Sequence, residues 1–252
     1  MGPPVRIVFL AADDPIYLPE FFERVLATLG EQTEAVFSVP PFYKGQTPIR
    51  AAWRYYRSFG AEGVARLTTR VALAKARRRS IASLCRKRGI AHSVVRDVNA
   101  SEFVAQLSKL QPDLVVSVSC PQIFKKPLLN VPAIGCLNIH GAILPDYRGV
   151  MPSFWMLANG ESEAGVSIFF MNEDIDAGDV VGQSVFAILP DETLHGFLRR
   201  SKNIAADLLV ETVQAIASNA VTRLPLDSAA GSYYSWPDRE AVKRFRAQGR
   251  RL

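Results

Sequence analysis

The sequence predicts an α/β domain built on a doubly wound, mostly parallel sheet, and three observations carry that expectation. Short apolar runs rich in β-branched residues recur along the chain, among them VRIVFLA (5–11), DLVVSVS (113–119) and GVSIFFM (165–171). Their unbroken hydrophobicity is that of strands covered on both faces. Amphipathic stretches with apolar residues three and four apart alternate with these runs, which is the order of strands joined by crossover helices. With 252 residues, 48% of them hydrophobic, the chain is long enough for one substantial core and an appendage.

Taken in order, the first strand turns through AADDPIYLPEFF into the helix LPEFFERVLATLG, and EAVFSV (34–39) is the second strand. No G-x-G-x-x-G follows the first strand, so the dinucleotide fingerprint is absent. Between Gly45 and Gly89 the pattern becomes helical, with Ile49, Trp53, Tyr56 and then Val64, Leu67, Val71 recurring among arginines. HSVVRDV reads as a strand, VNASEFVAQLSKL as a helix capped by Asn99 or Ser101, and residues 113–119 as the central strand. AIGCLNIHGAILP is a further strand ending in a proline-bounded loop, and MPSFWMLANG is a helix stopped by Gly160. Residues 165–171 and 179–188 form two strands around the turn-rich NEDIDAG, and DETLHGFLRRSKNIAADLLVETVQAIAS is a long amphipathic helix closing the core. The domain is expected to span residues 1–220. From Val221 the composition shifts to turn residues and aromatics, giving a short C-terminal extension, 221–252, with a basic helix-like end.

No run of about 18 uncharged apolar residues is present, and Met1 to Pro15 lacks the basic start and apolar centre of a signal peptide, so a cytoplasmic protein is expected. Cys85, Cys120 and Cys136 are odd in number and not spaced as metal pairs, so reduced thiols are expected, with neither a disulfide nor a metal. The net charge of +6 hides an asymmetry: residues 42–90, the basic helical insertion, hold thirteen Lys and Arg against the single Glu62. Such a block is either an anion-facing surface or a set of solvated helix faces.

On the strand approaching Leu144, side chains alternate, so Cys136, Asn138 and His140 share one face and Leu137 and Ile139 the other. An amide and an imidazole thus meet at a strand's C-terminal end, where open α/β sheets place their ligands. The surrounding stretch, LNIHGAILPDYRGVMPSFWMLANGESEAGVSIFFMNEDIDAGDVVGQ (137–183), resembles the signature of the folate-dependent formyltransferases, a family that includes methionyl-tRNA, glycinamide-ribonucleotide and amino-sugar N-formyltransferases. N-x-H, L-P-x-[YW]-R-G and D-x-G-D occur in the family's order. The resemblance implies the Rossmann-like formyltransferase fold and 10-formyltetrahydrofolate as formyl-donor co-substrate, without a metal. It also implies catalytic roles for Asn138, His140 and Asp176, and a loop of Tyr147, Arg148 and Gly149 bordering the site. LQPDLVVSVSCPQIF looks like the family's central strand and folate-lining hinge, which places Cys120, Gln122, Ile123 and Phe124 along the pterin pocket, with Leu144, Pro145, Asn172 and Ile175 completing the folate-lining set. His92 and His195 read as structural or solvated.

The chemistry suits these residue types. An amine attacking a formyl carbon creates an oxyanion that Asn138 can meet with an N–H, and a proton that His140 can accept. Asp176 can orient the imidazole and favour its charged form. As to the acceptor, methionyl-tRNA enzymes carry a separate C-terminal β-barrel, glycinamide-ribonucleotide enzymes have a glycine-rich phosphate loop where this chain has AADDPIYLPE, and formyltetrahydrofolate hydrolases add an N-terminal regulatory domain. The expected acceptor is therefore the amine of a small anionic molecule, an amino sugar on a nucleotide or lipid phosphate. The alternatives are a methionyl-tRNA-type enzyme lacking the barrel, a membrane-surface enzyme acting on a lipid-linked amine, and a catalytically silent folate-binding module. Residues 42–90 are the surface that would meet an anionic membrane, with Trp53, Tyr55, Tyr56 and Phe59 among the headgroups. Nucleic acid is not an expected partner, and a homodimer is compatible with the sequence.

Overall fold

The structure, a computed structural model, describes residues 5–41, 47–227 and 229–252; the first residues of the basic insertion, 42–46, lie outside them. The chain runs β1 (Ile7–Ala12), α1 (Leu18–Leu29), β2 (Thr33–Val39), α2 (Pro48–Ala76), α3 (Ile81–Arg88), β3 (Ala91–Val94), α4 (Ser101–Lys109), β4 (Leu114–Val118) and α5 (Lys126–Leu129). It continues through β5 (Gly135–His140), β6 (Arg148–Gly149), α6 (Pro152–Asn159), β7 (Glu163–Phe170), β8 (Val180–Ala187), α7 (Leu194–Ala217), β9 (Tyr233–Tyr234) and α8 (Arg239–Ala247). Seven strands form one sheet in the order β3-β2-β1-β4-β5-β7-β8, and β6 pairs with β9 apart from it. Pairing is parallel from β3 to β5 and antiparallel from β5 through β7 to β8.

The unbroken apolar runs follow from a sheet covered on both faces. Ile7, Phe9, Leu114, Val116, Leu137 and Ile139 face a core shared with α1 and α7. Val8, Leu10, Val115 and Cys136 face the opposite core with Phe103 and Leu107 of α4. The strand order reverses between β1 and β4, so the crevice outside their C-terminal ends is the place this topology offers a ligand.

A third core was not legible as one unit. Phe59 of α2, Phe154 and Trp155 of α6, Phe197 of α7, and Val242, Phe245 and Leu252 of the C-terminal segment pack together. Residues 221–252 therefore complete a core. In α2 the expected apolar stripe is not the buried one: Ile49 is 81% and Trp53 61% exposed, whereas Phe59 and Gly63 are buried. The helix docks through Tyr55 and Phe59, whose rings pack on each other, and both lie against Trp236. Gly60, at φ 70, kinks the helix at this contact. Burial of Phe59 and docking of Tyr55 also remove two of the four aromatics assigned to lipid headgroups; Trp53 and Tyr56 remain outside, stacked on each other.

Two local expectations change. β3 ends at Val94, short of the expected 98. The cap position of α4 is Ala100, with no side-chain cap, because Asn99 is engaged elsewhere: its amide donates to Ile123 O and its oxygen accepts from Lys125 N. Among the described residues no helix is long and apolar enough to cross a membrane.

Candidate active site

β5 delivers its polar residues to the C-terminal edge of the sheet, with Asn138 beside Ser117 of β4 and His140 beside Ser167 of β7. The loop after β5 is held by side chains that the sequence reading passed over. Ser167 Oγ donates to Ala142 O (2.7 Å) and accepts from Leu144 N (3.0 Å). Gln183 Nε2 donates to Leu144 O (3.0 Å) and to Ser167 Oγ (2.9 Å). That set satisfies the hydroxyl's single donor and two acceptor sites, and the only clue in the sequence was a serine inside an otherwise apolar strand.

His140 is buried, and its Nε2–H donates to Tyr147 O at 2.8 Å. In the neutral ring Nδ1 is then unprotonated, and it stands 3.8 Å from Asp176 Oδ2. Asp176, in the left-handed region at φ 50, accepts a hydrogen bond from Gly149 N at 2.9 Å. Its turn is shaped by Asn172, whose oxygen accepts from Asp174 N (3.0 Å). Gly178 closes the same turn so tightly on Phe170 O that a Cβ would collide with it. Burial holds the imidazole below its usual range; Asp176 and the Tyr147 carbonyl oppose that, and Lys202 reinforces it. Asn138 is half-buried, with its amide uncommitted to any hydrogen bond among the described residues.

Lys202 and Asp14 were also passed over. Lys202 reaches from α7 to donate to Ser119 Oγ (2.7 Å) just past the end of β4. Asp14, just past β1, accepts from Ile16 N (2.7 Å) and Tyr17 N (3.3 Å). Burial pushes the ammonium down and the carboxyl up, and each charge offsets the other's burial. In sequence Lys202 is one more cation on a basic amphipathic helix, so nothing local marked it.

The remaining expected positions divide. Tyr147 and Gly149 lie against the His140–Asp176 pair, while Leu144 packs with Phe169 and Val180. Arg148 is half-buried beside Tyr233. Pro145 is covered by Gly231, and Ile175 is exposed on the turn that carries Asp176. Gln122 has both ends of its amide engaged, accepting from Val98 N (3.0 Å) and donating to Arg96 O (2.7 Å). Phe124 is buried among Val8 and Leu10, and Ile123 is 63% exposed. Cys120, half-buried, has its thiol pushed by burial to about 11, and Cys136 to about 12. Neither provides a thiolate near neutral pH. His92 bonds to Ser38 Oγ, whereas His195 Nδ1 bonds to the Tyr17 hydroxyl at the edge of a cleft lined by Arg70, Arg77, Arg79 and Arg199. Among the described residues no group of three His, Cys, Asp or Glu is placed to hold a metal ion.

An imidazole with a free Nδ1, a carboxylate behind that atom and an available amide N–H on the same strand can accept a proton, steady the resulting cation and bind a developing oxyanion. Comparison with known proteins points the same way. The sequence profile described as "Formyl transferase" matches residues 64–213. A methionyl-tRNA formyltransferase of Moorella thermoacetica is 39% identical over 137 residues, covering 54% of this chain and 44% of that protein. The chain thus matches somewhat under half the length of such relatives. Among solved structures, an N-formyltransferase from Helicobacter canadensis in complex with folinic acid and dTDP-3-aminofucose superposes with a TM-score of 0.59 at 17% identity, covering 92% of this chain and 71% of that one. Glycinamide ribonucleotide transformylase 1 of Symbiobacterium toebii does so with a TM-score of 0.60 at 18% identity, covering 88% and 94%.

Proposed function

Because the chain belongs to the formyl transferase family, we propose that it moves a formyl group from 10-formyltetrahydrofolate to the primary amine of a small anionic acceptor, with Asn138, His140 and Asp176 as the reacting side chains. The observation that carries this reading is His140 Nδ1 facing Asp176 at 3.8 Å with Nε2 tied to Tyr147 O. The amine lone pair attacks the formyl carbon and the carbonyl electrons move to oxygen, where the Asn138 amide donates. Nδ1 takes the amine proton and Asp176 stabilises the imidazolium. Collapse re-forms the carbonyl and breaks the bond to the folate N10, which leaves with the proton returned from His140. The products are the N-formyl amine and tetrahydrofolate.

A phosphate-linked amino sugar is supported as acceptor by the charge around the cleft. Arg70 of α2, Arg77 just past its end and Arg199 of α7 line a recess with Pro15 and Ile16, in the same β1–α1 loop that carries Asp14. The Helicobacter canadensis neighbour, with its nucleotide-linked sugar, is a precedent on this fold. The methionyl-tRNA reading stands second, on the 39% identity to such an enzyme.

The test is to mix the protein with 10-formyltetrahydrofolate and, separately, nucleotide-linked amino sugars, methionyl-tRNA and an aminolipid in vesicles, reading tetrahydrofolate release. Release that depends on an amino sugar and is absent in His140→Ala supports the proposal. Release with methionyl-tRNA or the aminolipid alone would replace the acceptor, and release equal in all arms and in His140→Ala would remove the catalytic reading.

A further inference from the structure

The loop that carries Tyr147 and Gly149 is held on its far side by the C-terminal segment. Arg148 N donates to Ser232 O (2.9 Å) and Val150 N to Tyr234 O (2.8 Å), bonds at the two ends of the β6–β9 pair. Tyr147 N donates to Ser232 Oγ (2.9 Å). The Tyr147 and Tyr234 rings stack at 5.1 Å and 12°. Gly149, at φ 95, lies so close to Tyr234 O that a Cβ would collide with it, and Gly231 lies equally close to Pro145 O. The same short loop therefore faces two ways: one edge pairs with residues 232–234, while Tyr147 O and Gly149 N hold His140 and Asp176.

The segment is itself anchored firmly. Trp155 Nε1 donates to Ser235 O (3.0 Å), Trp236 Nε1 donates to Ser58 Oγ (2.9 Å), and Ser58 Oγ donates to Pro237 O (2.7 Å). Arg54 lies over the Trp236 ring at 4.3 Å, and Phe245 stacks on Phe154 at 5.1 Å. A continuous chain of packed and hydrogen-bonded groups thus runs from α2 through residues 231–237 to the loop and on to the imidazole and carboxylate.

We propose that residues 231–236 are a positioning strap, in which Ser232 and Tyr234 fix the Tyr147–Gly149 loop so that His140 Nδ1 and Asp176 Oδ2 stay opposed. The inference rests on the catalytic reading above. Two loop atoms set the geometry of both groups, and a displacement of about 1 Å at a reacting pair costs on the order of a hundredfold in rate. The strap touches neither the carbonyl chemistry nor the folate-lining positions beyond Pro145, so its loss should appear in turnover and in the state of His140.

The experiment compares Tyr234→Ala, Tyr234→Phe, Ser232→Ala and His140→Ala in the full chain with Phe37→Leu, a core change on β2 packed against Phe103. Tyr234→Ala should lower kcat by roughly ten- to a hundredfold with the donor KM within about twofold. The acid limb of its pH–rate profile should move to lower pH, because the Tyr147 carbonyl and Asp176 both hold the His140 pKa up. Tyr234→Phe keeps the ring stack and should restore both readouts. Ser232→Ala removes the hydroxyl's bonds with Tyr147 N and Asp146 Oδ1 and should move both the same way by less; it carries the test if Tyr234→Ala does not fold. Wild-type kcat and pH profile in Tyr234→Ala would overturn the strap, as would a loss matched by Phe37→Leu with no pH shift. If His140→Ala stays active, the catalytic reading fails instead.

Discussion

Replacing Asp176 by Asn removes one charge at a known distance while leaving an oxygen that can still accept from Gly149 N. When His140 becomes an imidazolium, Nδ1 lies 3.8 Å from the carboxylate. At that separation an opposite charge is worth about 4 kcal/mol for an effective dielectric constant of about 20. Lost from the transition state, that corresponds to roughly a thousandfold in kcat. The assay is steady-state tetrahydrofolate release from 10-formyltetrahydrofolate with the acceptor saturating, run across pH, with donor binding measured by equilibrium titration. Two outcomes are expected together. The plateau kcat falls by about three orders of magnitude while donor affinity is kept. The acid limb moves to lower pH, because the neutral ring is the working base and Asp176 raises its pKa; without Asp176, His140 stays neutral further into acid. A variant that keeps more than about a tenth of wild-type kcat, or whose acid limb moves toward neutral pH, would show that Asp176 does not act through the imidazole.

Three further changes probe other parts of the site. Asn138→Asp replaces an N–H donor by an acceptor carrying the oxyanion's own charge, so turnover should fall at least about a hundredfold; near-normal turnover would exclude the oxyanion role. Lys202→Met removes a cation that helps hold the His140 pKa down, so the acid limb should move toward neutral pH, the opposite of Asp176→Asn, and an unmoved limb would separate Lys202 from the imidazole. Replacing Arg77, Arg78 and Arg79 by Gln should raise the acceptor KM and leave the donor KM unchanged, with the effect shrinking as salt rises because exposed charges are screened over about 8–10 Å. Release of the variant but not of wild-type protein from anionic vesicles, with unchanged kinetics, would point to a lipid surface instead.

What was legible in the sequence was local. Asn138 and His140 are two apart on one strand, so strand alternation alone puts them on one face, and β5 sends Leu137 and Ile139 into one core and Cys136 into the other as that alternation requires. The succession of strands and helices along the chain and the covered sheet followed from apolar runs whose lengths and flanks were distinct. What was not legible depends on long-range pairing. Tyr147 and the Ser232 hydroxyl that fixes it are 85 positions apart, and Lys202 and Ser119 are 83 apart; no periodicity connects such pairs. Gln122 was assigned to the pterin pocket by its place after β4, but its amide accepts from the buried Val98 N and donates to Arg96 O, long-range bonds that its place in the sequence does not reveal.

The misread stripe of α2 shows why periodicity could not settle the basic insertion. Ile49, Trp53 and Tyr56 have helical spacing, and so do Tyr55, Phe59 and Gly63; one helix presents both sets, and its own sequence does not rank them. The partner decides. Trp236 and Leu252, far along the chain, offer an apolar surface that Tyr55, Phe59 and Gly63 fit, with the Leu252 side chain against Gly63. That docking also gives several cations of residues 42–90 a structural role. Arg54 covers Trp236, Arg70 donates to Leu252 O, Arg66 pairs with Glu62, Arg79 pairs with Glu23 and Arg88 donates to Leu26 O. The charge asymmetry therefore overstates any anion-facing surface, and the cations these contacts do not account for include Lys75, Arg77 and Arg78, where α2 gives way to α3. An anionic acceptor that uses this insertion must reach that junction, and substitutions at Arg54 or Arg66 should change stability without changing the acceptor KM.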